Sequence, residues 1–195
     1  MTFEEIKIIL SNYTVGIAGC GGLGSNCAVA LARVGVGKLI IADFDIIVES
    51  NLNRQYFFYD QIGQKKCFAL KNNIERINPN CIVEAHDVFL TEELICKFYA
   101  DVDVMVEAFD KAEMKQMLLQ TMLTHFPKKP LIMGVGLAGW GNFSQIKETV
   151  FDNVYIMGDM QNEVSDNNPP IAPRVGIVSN MQANKVLELL LKESL

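Results

Sequence analysis

The chain has 195 residues, of which 50% are hydrophobic and 21% charged, and its formal net charge is −6 at pH 7. This balance indicates a globular protein with a substantial core, and the negative charge disfavours nucleic acid as a partner. No apolar run is long enough to span a membrane, and the start Met1-Thr2-Phe3-Glu4-Glu5 lacks the basic residues of a secretory signal. We therefore expect a cytoplasmic protein.

Helix and strand patterns alternate along the chain. Apolar spacing predicts strands over residues 14–18, 38–43, 81–86, 102–108, 131–134, 143–150 and 154–157. It predicts helices over residues 3–10, 27–32, 63–78, 91–98, 111–125 and 175–191, with an acidic loop over 158–173. This order predicts an α/β, Rossmann-like fold, in which a mainly parallel sheet carries helices on both faces and gains antiparallel strands in its C-terminal half.

A glycine-rich turn joins the first predicted strand to the next helix. Gly19, Gly21 and Gly24 fit the pattern G-x-G-x-x-G, and Gly22 adds a further glycine. In such a turn the first glycine permits a tight bend, the second lets backbone approach a phosphate, and the third allows close packing. The helix start also offers N–H groups to an anion. The turn therefore predicts a nucleotide site, with a plain structural turn as the alternative.

Asp43 ends the second predicted strand, where an acid hydrogen-bonds ribose hydroxyls in folds of this kind. This position implies an adenosine but does not distinguish NAD, FAD and ATP. The next segment does, because Asn51, Asn53, Arg54 and Gln55 offer donors for which a dinucleotide dehydrogenase has no need.

Two further positions favour a triphosphate. Lys65 and Lys66 stand at the start of a predicted helix, where their charge opposes the helix dipole unless an anion is bound. Asp110 follows the fourth predicted strand at its carboxyl end, where ligands bind in parallel sheets. Its carboxylate suits Mg²⁺ on a triphosphate, and it would also suit an N-cap of the next helix.

Several linked motifs resemble the ThiF/MoeB group, bacterial relatives of the ubiquitin-activating enzymes. They are Gly19-x-Gly-Gly-Leu-Gly-Ser-Asn26, Asp43-Phe-Asp45, Ser50-Asn-Leu-Asn-Arg-Gln55, Gly63-Gln-Lys-Lys66, Ile77-Asn-Pro79 and the run over residues 173–183. The resemblance covers most of the chain, and its short length is similar to that of a compact ThiF-like subgroup associated with thiamine biosynthesis.

The resemblance implies that residues 1–195 form one domain that adenylates the C-terminal Gly-Gly carboxylate of a ubiquitin-fold, ThiS-like sulfur carrier, using ATP and Mg²⁺. It implies a homodimer, and the activated carrier could react with an external persulfide donor. The net charge and the lack of a long apolar run predict no nucleic acid or membrane partner. The implied nucleotide-binding residues are Gly19, Gly21, Gly22, Gly24, Asp43, Asn51, Arg54, Gln55 and Lys66, and the implied catalytic residues are Arg54, Lys66 and the metal-binding Asp110.

The chain departs from the group in three ways. An N-terminal arginine that reaches the other subunit's ATP site is absent, since the first arginine is Arg33, and Lys7 is the candidate replacement. The paired C-x-x-C zinc ligands are missing, so we expect no zinc. No cysteine occurs from Gly134 onward, so we expect no covalent enzyme–carrier intermediate.

Three alternatives stay open. An NAD-dependent oxidoreductase needs only the segment from Gly19 to Asp43 and leaves Arg54, Lys66 and Asp110 unexplained. A non-catalytic binding module would have kept the fold and lost the chemistry. A different acceptor, such as a carrier for molybdopterin synthesis or a modified tRNA nucleoside, would keep the chemistry and change the pathway.

Overall fold

The computed structural model describes residues 1–192 and contains one seven-stranded sheet in that range. The strands are β1 (Thr14–Ala18), β2 (Lys38–Ala42), β3 (Ile82–His86), β4 (Val104–Glu107), β5 (Leu131–Val135), β6 (Lys147–Phe151) and β7 (Val154–Gly158). Their order in the sheet is β3-β2-β1-β4-β5-β7-β6. Strand β6 runs antiparallel to β7, and the other pairs in the described chain are parallel.

Helices cover both faces of the sheet. They are α1 (Phe3–Leu10), α2 (Gly22–Val34), α3 (Lys66–Ile77), α4 (Glu92–Phe98), α5 (Ala112–His125) and α6 (Ala172–Lys192). Helices α1, α2, α3 and α6 pack on one face, and α4 and α5 pack against each other on the opposite face. The predicted α/β fold is thus confirmed. One sheet that holds every described strand agrees with the single-domain prediction for residues 1–195, which stays a prediction.

Alternating side chains divide the core into two layers. Val15 and Ile17 of β1 point into the layer under α2, while Gly16 faces Tyr99 on the other side. A Cβ atom on Gly16 would lie 2.7 Å from Cδ1 of Tyr99, so the glycine makes room for that ring. Tyr99 is fully buried, and its hydroxyl donates a hydrogen bond to the carbonyl of Ile17 at 3.2 Å.

The structure corrects one predicted strand. Residues Phe143–Gln145 form a 3₁₀ turn, and β6 begins only at Lys147. The reason is local, because Gly141 (φ 73°) and Asn142 (φ 47°) adopt left-handed backbone conformations that turn the chain before the strand can start. Within residues 1–192, no helix has both the length and the apolar composition that crossing a membrane requires.

Two glycines allow α2 to begin against the end of β1. Gly19 has φ +99°, and a Cβ atom there would lie 2.7 Å from the carbonyl oxygen of Ala108. A Cβ atom on Gly24 would lie only 1.8 Å from the carbonyl oxygen of Gly19. Backbone at this distance cannot move aside as a flexible side chain can, so the turn requires glycine at both positions.

We predict that Gly24→Ala lowers the free energy of unfolding by about 3 kcal/mol, since the added methyl group overlaps main-chain atoms. Gly176→Ala is the matched control, because a Cβ atom there meets nothing within 4 Å. Inside helix α6 that change should raise stability by up to about 1 kcal/mol. Urea unfolding of both variants measures the difference, and equal stabilities would contradict the packing described for the turn.

Candidate nucleotide site

A cleft of about 630 Å³ opens at the carboxyl ends of β1, β2, β4 and β5. The sequence-predicted residues that line it are Gly19, Gly21, Gly22, Asp43, Arg54, Gln55, Lys66 and Asp110. Residues far apart in the sequence meet here because parallel strands end at the same edge of the sheet. Gly24 and Asn51, which the resemblance also implied, do not line the cleft, and neither do the candidates Asn53 and Lys65.

Asp43 connects the end of β2 to the glycine turn. Its Oδ2 accepts a hydrogen bond from the backbone N–H of Cys20 at 2.7 Å, and its Oδ1 accepts one from the N–H of Asp45 at 2.8 Å. Burial raises the pKa of Asp43, and the hydrogen bond from Cys20 opposes that rise. Each carboxylate oxygen can accept further hydrogen bonds, so Asp43 can hold the turn and still bind hydroxyl groups.

Lys66 is the first residue of α3, and its side chain is buried against the cleft. Its Nζ lies 2.6 Å from Oδ2 of Asp45, and its backbone N–H donates to the carbonyl of Asp45 at 3.0 Å. Lys65 has other partners, the carboxylate of Asp87 at 3.0 Å and the carbonyl of Phe44 at 3.0 Å. Of the two lysines, only Lys66 lines the cleft, and the sequence did not identify Asp45 as its partner.

Arg54 contributes a second cation. Its Nη1 donates to Oδ1 of Asn53 at 2.7 Å and to the carbonyl of Ser50 at 3.2 Å. Burial lowers the pKa of Arg54, and the nearby Asp110 carboxylate opposes this shift. A guanidinium stays protonated at neutral pH, and among residues 1–192 no salt bridge engages it. Its remaining N–H groups can therefore bind an anion.

Gln55 and Asn51 differ in whether their side-chain oxygens accept a hydrogen bond in the described part of the chain. Gln55 is 8% exposed and lines the cleft, and its buried Oε1 has no hydrogen-bond partner in the described part of the chain. The Oδ1 of Asn51 instead accepts a hydrogen bond from the N–H of Val48 at 3.1 Å. Asn51 thus shapes the loop that presents Arg54, and its direct contact with phosphate stays a prediction.

Asp110 lies exposed in the loop between β4 and α5. The N-cap of α5 is Lys111 and the helix begins at Ala112, so the alternative role of Asp110 as an N-cap is wrong. Within the described chain its carboxylate has no hydrogen-bond or ion-pair partner, which leaves both oxygens for a ligand. No group of three or more potential metal-ligating side chains forms within residues 1–192. A lone carboxylate with phosphate oxygens is a usual way to hold Mg²⁺.

The end of the cleft near β2 and β3 is apolar. Phe44 and Phe89 form an edge-to-face pair with ring centroids 5.1 Å apart, and both rings are about half exposed. Val88, Leu90 and Met114 complete this part of the lining. Exposed aromatic surface beside Asp43 suits a planar base.

Two ion pairs with buried carboxylates, one of which brings Lys115 into the lining of the cleft, were not found by sequence reasoning. Glu107 is fully buried at the end of β4, and Lys115 donates to both of its carboxylate oxygens at 2.9 Å and to the carbonyl of Gly134 at 2.8 Å. Arg174 of α6 pairs with Asp159, and both side chains are nearly inaccessible. An acid at the end of an otherwise apolar strand was the available signal for Glu107, but nothing local marked its partner.

The cysteines are poorly suited to covalent chemistry. Burial raises the pKa of Cys27 to about 12, of Cys67 to about 11 and of Cys81 to about 11. It also raises the pKa of Cys20 well above its usual range, and that of partly exposed Cys96. Thiolate is therefore disfavoured at every cysteine, including Cys67, although Cys67 directly follows the cationic Lys66.

Comparison with known proteins places these features in context. The tRNA threonylcarbamoyladenosine dehydratase of Bacillus subtilis (strain 168) is 38% identical over 131 residues, which are 66% of this chain and 51% of that protein. The molybdopterin-synthase adenylyltransferase of Haemophilus influenzae is 32% identical over 183 residues, 90% of this chain and 74% of that protein. The chain thus spans about half the length of the Bacillus relative.

A solved structure shares the fold. E. coli tRNA N6-threonylcarbamoyladenosine dehydratase, TcdA, in complex with ATP, superposes with a TM-score of 0.87 at 21% identity, and the match covers 98% of this chain and 90% of that one. The model of the ThiF family matches residues 5–195, almost the whole sequence. The chain belongs to the ThiF family.

Proposed function

We propose that this protein is an adenylyltransferase that transfers AMP from ATP to the C-terminal Gly-Gly carboxylate of a ubiquitin-fold, ThiS-like sulfur carrier, in thiamine biosynthesis. The observation that carries the proposal is the meeting of the glycine turn with Arg54, Lys66 and Asp110 in one cleft. An oxidoreductase would need the turn and Asp43 but neither of the two cations.

The chemistry requires charge stabilisation more than proton transfer. The carrier's terminal carboxylate is ionised at neutral pH, so it attacks the α-phosphate without a general base. Its oxygen forms a bond to phosphorus while the bond to the leaving pyrophosphate breaks. Arg54 and Lys66 stabilise the negative charge that gathers on the phosphoryl oxygens, and such preorganised groups are worth roughly 10²–10³ in rate.

Other residues bind and orient the nucleotide. Asp43 accepts hydrogen bonds from the ribose, and Phe44 and Phe89 cover the base. Asp110 would hold Mg²⁺ together with the phosphates, and the ion would neutralise charge on the triphosphate. The Gln55 amide, with its unpartnered buried oxygen, is available for a polar group of the bound ATP.

The relatives support this class of chemistry and leave a second acceptor in consideration. The name of the Haemophilus relative describes an adenylyltransferase, and that of the Bacillus relative describes a tRNA dehydratase. The identity to the Bacillus relative makes a carboxylate on a modified tRNA nucleoside the second candidate acceptor. The net charge of −6 argues against this acceptor, because tRNA is itself negatively charged. We further propose that the protein is a cytoplasmic homodimer without zinc. Its adenylated carrier receives sulfur from an external persulfide donor.

The test is ATP–pyrophosphate exchange with each candidate acceptor. A ThiS-like carrier should support exchange, and the same carrier without its Gly-Gly tail should not. Exchange that depends on a molybdopterin-type carrier or on tRNA would instead assign the protein to the pathway of that acceptor. No exchange with any acceptor would contradict the proposed activity and favour a binding module.

We predict that ATP·Mg²⁺ binds to the protein and NAD does not. Arg54 and Lys66 line the cleft together with the glycine turn, and a triphosphate offers these cations more negative charge than a pyrophosphate bridge does. Isothermal titration calorimetry with both nucleotides measures the preference. Tight NAD binding without ATP binding would overturn it.

Removing either cation or the acid should abolish adenylation while the fold survives. We predict that Arg54→Ala, Lys66→Ala and Asp110→Ala each reduce the rate by at least about 100-fold. Lys65→Ala is the matched control, because its partners Asp87 and Phe44 lie outside the phosphate region, and it should lose much less. Single-turnover kinetics measure the rate of adenylation, and circular dichroism checks that each variant is folded. An inactive Lys65 variant beside an active Lys66 variant would show that Lys65, and not Lys66, is the lysine that binds phosphate.

Adenylation should not require cysteine. We predict that a variant with Cys20, Cys67 and Cys96 changed to Ala or Ser still forms carrier adenylate, since burial disfavours all three thiolates. Intact-mass spectrometry follows the product. A folded, ATP-binding variant that makes no adenylate, or a thiol-labile carrier conjugate with the wild type, would refute this.

A further inference from the structure

A buried ion pair lies behind the wall of the cleft that is farthest from the base-binding end. The Nη2 of Arg174 donates to Oδ2 of Asp159, and the two side chains are 3% and 0% exposed. Neither residue lines the cleft. Taking two charges out of water is costly unless they are paired and further hydrogen-bonded, so the arrangement needs an explanation.

Arg174 holds a glycine-rich stretch in place. Its Nη1 donates to the carbonyl of Gly141 at 2.9 Å, and its Nε reaches the carbonyl of Gly136 at 3.5 Å. These carbonyls belong to the glycine segment, residues 134–141, whose first four residues line the cleft. One guanidinium therefore fixes the segment at two points.

Asp159 holds the opposite side of the same wall. Its Oδ1 accepts hydrogen bonds from the backbone N–H groups of Gln161 at 2.9 Å and Asn162 at 3.0 Å, and its Oδ2 accepts one from the Asn162 side chain. These donors begin the acidic loop, which the structure bounds at residues 159–171 between β7 and α6. The loop contributes Asn162, Glu163, Val164 and Pro170 to the lining. The segment and the loop also bond directly, from the N–H of Gly139 to the carbonyl of Pro169 at 3.0 Å.

The sheet order determines what this wall faces. Asp43 and the Phe44–Phe89 pair lie at the ends of β2 and β3, and the glycine turn and Asp110 lie at the ends of β1 and β4. The glycine segment follows β5, the next strand along. A nucleotide on the β2, β1 and β4 side leaves the β5 side of the cleft for the group that attacks the α-phosphate.

We propose that Arg174 and Asp159 are positioning residues for the acceptor: their ion pair fixes the glycine segment against the acidic loop and so builds the wall along which the acceptor's tail reaches the α-phosphate. This inference rests on the proposed adenylation and adds two residues that do not touch ATP. The ion pair and its directed hydrogen bonds fix the position of two irregular segments relative to each other, because each donor meets a defined acceptor.

The test compares three variants with a control. Arg174→Met removes the guanidinium, Arg174→Lys keeps the charge and loses the forked geometry, and the double variant Arg174→Met/Asp159→Asn leaves no unpaired buried charge. Lys192→Met is the control on the same helix, because it removes an exposed ion pair with Glu188. The double variant and Arg174→Lys keep the test interpretable if Arg174→Met does not fold.

Trp140 provides a readout that is independent of the reaction. It is the single tryptophan, it is 83% exposed, and it precedes Gly141, whose carbonyl Arg174 binds. We expect lower anisotropy of its emission in Arg174→Met and the double variant. Unchanged anisotropy would show that the pair does not anchor the glycine segment.

The kinetic readout separates the acceptor from ATP. With a ThiS-like carrier ending in Gly-Gly, the acceptor KM of the double variant should rise about 10- to 100-fold, and Arg174→Lys should restore part of it. The Kd for ATP should stay within about twofold, as for sites without shared contacts. An unchanged acceptor KM, or a Kd for ATP that rises in parallel, would overturn the inference. If the wild type adenylates no acceptor, the proposed function fails, and the anisotropy still decides the anchoring.

Discussion

The close approach of α2 to the end of β1 is the constraint on which the rest of the structure depends. Gly24 has no room for a side chain above the carbonyl of Gly19, and Gly19 itself needs a left-handed backbone. The helix start is thereby fixed at the carboxyl edge of the sheet. Asp43 completes the arrangement from β2, because its carboxylate accepts the N–H of Cys20 within the same turn.

The charges of the cleft follow from this frame. Lys66 and Arg54 come from segments after β2, Asp110 comes from the loop after β4, and all three line the same cleft as the turn. Asp45 neutralises Lys66 at 2.6 Å in the described structure. In the proposed reaction a triphosphate would compete with Asp45 for that lysine. The ion pair holds the ammonium at the cleft before the nucleotide binds. Preorganised charge of this kind is the main catalytic contribution expected of the protein.

Local patterns in the sequence predicted the elements well and the long-range pairs poorly. Strand β1 has the predicted bounds, and the glycine turn and Asp43 meet as their spacing indicates. Periodicity reports only which side of an element is apolar, so it identified neither the Lys115–Glu107 pair nor the Arg174–Asp159 pair, which join distant segments. Asp110 illustrates the same limit, because its proximity to the helix start resembled a cap that Lys111 in fact occupies.

We expect the cleft to transfer the adenylyl group of ATP and not its terminal phosphate. The most direct measurement incubates the protein and a ThiS-like carrier with ATP labelled at the α-phosphate or, separately, at the γ-phosphate. Label from the α-phosphate should move to the carrier and depend on the Gly-Gly tail, while label from the γ-phosphate should leave as pyrophosphate. Transfer of the γ-label to the carrier, or of neither label to any acceptor, would contradict the account.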